Sequence, residues 1–174
     1  MSTRAGTLAG ALLVGLWALG TGVVGASHQS GREPGMVEIV ISVELSCPSC
    51  AQGLERRLSR LEHVNRVEIQ VDESRVVVGL EPGTSVGLQE VWDVVRNAGF
   101  TPETLALTAV GRVVEVNGAV ALGLPDALVL ALAGDHVAEL ATTAGQNLVE
   151  VEGDVGLGAG GSAPSVTVRR FDLR

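Results

Sequence analysis

The chain has two cysteines, Cys47 and Cys50, held in the stretch Ser46-Cys47-Pro48-Ser49-Cys50. A C-x-x-C pair at the start of a helix lets both sulfurs converge on one point. The free N–H groups and the positive end of the helix there favour thiolate over thiol. Thiolate is the ligand that soft ions such as Cu(I) select. Two thiolates with no third ligand suit a low-coordinate ion, Cu(I) or Hg(II). Zinc and iron–sulfur sites want about four protein ligands, and this sequence has no further cysteines to supply them. A two-ligand, exposed site also suits transfer, because an incoming thiol adds before an outgoing one leaves.

The flanking sequence supplies the elements that position such a pair. An alternating apolar pattern, Val37–Leu45, predicts a strand leading into the motif. Leu54, Leu58 and Leu61, with Arg56, Arg57 and Arg60 between them, predict an amphipathic helix of about Ala51–Leu61 leading out. A strand at Val64–Val71, a turn at Asp72-Glu73-Ser74 and a strand at Arg75–Leu80 follow. Ser85 is placed to cap a helix over Val86–Ala98, which Gly99 ends, and a fourth strand is expected at Thr104–Val110. The order is βαββαβ in about 75 residues, a ferredoxin-like sandwich with two helices on one face of a four-stranded antiparallel sheet.

From Gly111 the pattern turns β-rich. Strands are expected at Gly111–Val116, Ala119–Leu124, Ala127–Ala133, Asn147–Val151 (running on towards Val155) and Ser165–Leu173. Asn117-Gly118 is a two-residue hairpin signal, Pro125-Asp126 a turn, and His136–Ala144 a short helix. Five strands with one helix between the third and fourth is the order of a small OB-type barrel. The expected organisation is therefore α+β: a segment 1–26, a linker 27–35, a first domain 36–109 and a β-rich domain 110–174.

Leu45-Ser46-Cys47-Pro48-Ser49-Cys50, with Leu54, Val67, Val71 and Ala98-Gly99-Phe100 in step, resembles a heavy-metal-associated domain over residues 36–109. That family includes copper chaperones, the N-terminal modules of copper-exporting ATPases and the periplasmic mercury-binding protein of mercury resistance. The resemblance implies a non-enzymatic metal-binding protein, a metallochaperone in which Cys47 and Cys50 hold one soft ion, Cu(I) or Hg(II). It also implies a metal-transporting membrane protein, or another metal acceptor, as partner. Phe100 takes the place of a loop side chain that often lies by the metal in this family. Where the family usually has Gly-Met ahead of the motif, this chain has Glu44 and Leu45. Leucine replaces methionine as a buried anchor at similar volume, whereas Glu44 for glycine is the larger departure, affecting loop flexibility and docking.

Two rival uses of the cysteines stand beside metal carriage: thiol–disulfide exchange, and a vestigial site in an interaction module. Cys-Pro-Ser-Cys at a helix start fits a thioredoxin-like redox motif, but that fold needs βαβ crossovers after the motif. An inert disulfide would close too short a loop to remove much unfolded-state entropy.

Composition narrows the partners. The net charge is −8, every one of the 12 basic residues is an arginine, and aromatics are 2%, so the core rests on Val, Leu, Ile and Ala. Residues 110–174 carry four arginines against eight acids and one aromatic, Phe171. A nucleic-acid barrel needs a basic groove and stacking aromatics, so nucleic acid is excluded. Arg4, the charge-free run Ala5–Val24 and Val24-Gly25-Ala26 read as an export signal cut before Ser27. The competing expectation is an uncleaved anchor that tethers the chain to the membrane. Either way the expected location is outside the cytoplasm, in the periplasm or on the extracytoplasmic face. His28, His63 and His136 are candidate ligands by residue type alone and read as surface or capping residues, and Trp92 reads as half-core packing. Gly156–Gly161 lacks the lysine and following helix of a phosphate loop.

Overall fold

The computed structural model describes residues 33–45, 48–143, 147–158 and 163–174. The expected export signal, most of the linker, Cys47 and residues 159–162 of the glycine-rich loop lie outside them. In chain order the elements are β1 (Gly35–Val43), α1 (Pro48–Leu58), β2 (Val64–Gln70), β3 (Arg75–Leu80), α2 (Leu88–Asn97), β4 (Pro102–Val116), β5 (Ala119–Gly123), β6 (Val129–Ala133), α3 (Val137–Ala141), β7 (Leu148–Gly156) and β8 (Ser165–Leu173). Among the described residues, no helix is long and apolar enough to cross a membrane.

The first four strands lie side by side in the order β2-β3-β1-β4, each pair antiparallel. Period-2 alternation decides which face is buried. Ile39, Ile41 and Val43 of β1, Val76 and Val78 of β3, and Leu105 and Leu107 of β4 are buried in one cluster with Leu54 and Leu58 of α1 and Leu88, Val91 and Val95 of α2. Spacing at i, i+4 and i, i+3, i+7 puts those helical residues on the faces turned to the sheet. Leu54 is 0% exposed. Leu54→Ala is therefore expected to cost about 2–5 kcal/mol through lost burial and an incompletely filled cavity, measured by urea unfolding.

β4 continues without a break through residue 110, so the strands expected at Thr104–Val110 and Gly111–Val116 are one strand. The reason is pairing. Residues 106–110 have β1 on one edge and β7 on the other, and β5 takes over the β1 edge from Arg112. The second half of β4 then closes a five-stranded barrel with β5, β6, β8 and β7, in which β6–β8 is the one parallel pair. Val113, Leu122, Leu130, Leu132, Val149, Val151, Val166 and Val168 are buried there, and α3 packs Leu140 against them. The Asn117-Gly118 turn has both φ values positive, +53° and +79°, as a type I′ hairpin requires.

The boundaries of the helices differ from expectation. α1 begins three residues before Ala51, with Pro48 at its first position, where a missing N–H costs nothing. It ends at Leu58, and i to i−3 bonds from Arg60 and Leu61 tighten the chain beyond it. α2 starts at Leu88 because Gly87 is extended (φ −65°, ψ 112°) and forms the cap, with no side-chain cap bond. Ser85 is thus two residues too early to cap it, and its Oγ is buried without a hydrogen-bond partner among the described residues. A working cap would be worth about 1 kcal/mol. Ser85→Ala is instead expected to leave urea stability within about 0.5 kcal/mol of the parent, or to raise it, because no bond is lost.

Candidate metal centre

β1 delivers the chain to the motif. Its ladder ends where Val43 faces Pro102 at the start of β4. Glu44 is exposed and Leu45 is 5% exposed within the core, so Leu45 anchors the approach to the cysteines, as its similarity in volume to methionine suggests. α1 then starts, and Cys50 is its third residue. The backbone N–H groups of a first helical turn have no partner within the helix and carry its positive end. A helix start of this kind favours thiolate over thiol. Cys47 and the side chain of Cys50 lie outside the described atoms, so the site is defined by its scaffold. Ala51, Leu54 and Leu58 are buried and fix the rotation and tilt of α1, whereas Arg56, Arg57 and Arg60 are exposed on its outer side.

The end of α2 supplies the neighbouring wall. Gly99 has φ +91°, donates its N–H to the Arg96 carbonyl at 2.9 Å, and is followed by Phe100, whose N–H reaches the Val95 carbonyl at 3.3 Å. These are the two bonds of a Schellman cap, which needs a residue in the left-handed region at the position Gly99 holds. The cap leaves Phe100 half-buried against the core, two residues before Pro102. Phe100 is thus at the end of the sheet where Val43 of β1 faces Pro102.

The two described histidines, His63 and His136, are elsewhere. His63 (φ +66°) sits between β2 and α1, with its ring nitrogens 3.9 Å from Glu62 and 3.7 Å from Glu81. His136 packs edge-on against Phe171, with ring centroids 5.6 Å apart. His28 lies outside the described residues. Among the described residues, no group of three or more His, Cys, Asp or Glu side chains could hold a metal ion. β7 lies along β4 on the edge away from β1, a tertiary pairing with no signal in the local sequence pattern.

The solved structures similar to this chain include the yeast copper transporter domain Ccc2a, determined in solution in its apo and Cu(I)-loaded states. It is 19% identical over 38% of this chain and 92% of its own length, with a TM-score of 0.35. The apo form of the HMA domain of copper chaperone for superoxide dismutase is 22% identical, over 48% of this chain and 81% of its own, also at 0.35. No curated protein sequence matches the chain. The chain does carry a segment, residues 40–101, that matches the family model of the heavy-metal-associated domain, with both cysteines inside it.

Proposed function

We propose that this protein is an exported, non-enzymatic carrier of one soft metal ion, Cu(I) or Hg(II), held by Cys47 and Cys50 and passed to a metal-transporting membrane protein or another acceptor. The observation that carries the proposal is the placement of the pair: both cysteines fall within the matched segment, and Cys50 stands in the first turn of α1. A soft ion on two thiolates leaves room for a third, so exchange with an acceptor thiol proceeds without a bare ion. The sheet order β2-β3-β1-β4 under two helices supports a ferredoxin-like sandwich for residues 36–109. The barrel order, with its parallel β6–β8 pair and α3 between β6 and β7, supports an OB-type barrel for residues 110–174.

Thiol–disulfide exchange is the rival from another class. β1 is antiparallel to both of its neighbours, which is unlike the βαβ crossovers of a thioredoxin-like sheet. The proposal is tested by titrating the reduced protein with Cu(I) against a competing chelator, followed by Hg(II) competition. One ion per chain held against the chelator is the expected result. Failure to compete, together with an oxidising reduction potential for the pair, would move the assignment to redox exchange.

A further inference from the structure

We propose that the cleft between α2, β4 and β7 is a docking site for an extended, basic segment of a partner protein. The proposal does not depend on the metal assignment. The cleft arises from a mismatch in pairing lengths. β7 runs to Gly156 and stays paired with β8 to that residue, opposite Ser165. Its pairing with β4, however, starts only at Ala106 opposite Asp154. The first residues of β4 thus have β1 on one edge, with Ser42 opposite Thr104 and Ile41 opposite Leu105, and a cleft of about 290 Å³ on the other. A strand edge of this kind accepts an added strand through main-chain hydrogen bonds.

The walls define what that strand carries. Trp92, Leu105, Val155 and Leu157 form the apolar lining, and both ionisable groups in it are carboxylates, Glu103 and Asp154. Asp154 pairs with the Arg169 guanidinium at 3.6 Å, which it shares with Glu152. Glu103 is exposed and makes no ion pair among the described residues. Asp154 also lines the open face of the sheet with Thr104, Ala106 and Arg169, which leaves Glu103 to meet a cation. An indole in the same cleft as Glu103 suits an arginine or lysine whose aliphatic stem lies on the apolar lining while its head reaches that acid. The net charge of −8 favours a basic partner over longer range.

The test uses the full chain carrying Trp17→Phe, which leaves Trp92 as its sole tryptophan. Its fluorescence is followed on titration with a terminally blocked Val-Arg-Val-Arg-Val peptide. The Val-Glu-Val-Glu-Val peptide and N-acetylarginine amide serve as comparison probes. Saturable change with the arginine peptide is expected, weakened about two- to fivefold by Glu103→Gln, the range an exposed charge pair supplies. Binding of N-acetylarginine amide should be weaker by at least about tenfold, because it brings no strand. Amide NMR shifts confined to residues 103–105 and 154–157 would locate the complex. No saturable change in a natively folded sample, equal response to the glutamate peptide, or insensitivity to Glu103→Gln would each overturn the proposal. Equal affinity for N-acetylarginine amide would make the cleft a small-cation pocket and overturn it as a docking site for a segment.

Discussion

Replacing Cys47 and Cys50 together by serine is expected to weaken Cu(I) binding by more than about a hundredfold, since loss of a mere outer-shell partner already costs 10–100-fold at metal sites. Serine keeps the size of the side chain and the start of α1, but a hydroxyl is a hard, neutral donor that a soft ion does not select. Either single substitution should also abolish tight binding, because one thiolate cannot enclose a two-coordinate ion. The fold should survive. The core that fixes α1 holds Leu54 and Leu58 in one cluster with Ile39, Ile41 and Val78, so unfolding free energies should stay within about 1 kcal/mol of the parent. Chelator competition and urea unfolding on the same samples separate the two effects. Loss of the fold in both single variants would instead show a structural disulfide.

Gly153→Ala is expected to have the largest effect on stability. Gly153 sits at the register shift in β7, where Glu152 faces Arg170 but Gly153 faces Val168. A Cβ built there would overlap the carbonyl oxygen of Thr167 and come within 2.7 Å of Val166 Cγ1 and 2.9 Å of the Thr167 carbonyl carbon. The obstacle is backbone of the paired strand, which side-chain rotation cannot relieve. β8 is also held by β6 on its other edge, so the barrel cannot splay locally. A loss above about 4 kcal/mol follows, the range of severe overpacking and broken ladders. Gly53→Ala in α1 is the control. Its Cβ meets nothing within 4 Å, and removing a mid-helix glycine should stabilise by about 0.5–1 kcal/mol. Urea midpoints that move together for these two variants would contradict the packing described here.

Much of this architecture was legible because it is encoded locally. Ile39, Ile41 and Val43 alternate, Leu54 and Leu58 repeat at four, Asn117-Gly118 can turn in only a few ways, and Gly99 stands where a helix needs a left-handed residue. The features that were not legible depend on distant partners. Gly111 has the look of a strand start, yet it lies inside β4, where a Cβ would come within 2.6 Å of the Gly123 carbonyl oxygen. Nothing near β7 announces that it will pair with β4 rather than with β6, and so nothing announces the cleft at Trp92. Ser85 matches a capping position by type, but the extended backbone at Gly87 delays the helix and leaves the hydroxyl without a role. The cysteine pair was legible as chemistry from its spacing alone. The setting of Cys50 at the start of α1 needed only the strand before it and the leucine repeat after it.

The most direct test of the account is X-ray absorption at the copper edge on the reduced protein loaded with one Cu(I) per chain. The account predicts a first shell of two sulfur scatterers, absent in the double serine variant. A first shell of nitrogen or oxygen, or an unchanged shell in that variant, would show that Cys47 and Cys50 do not hold the ion.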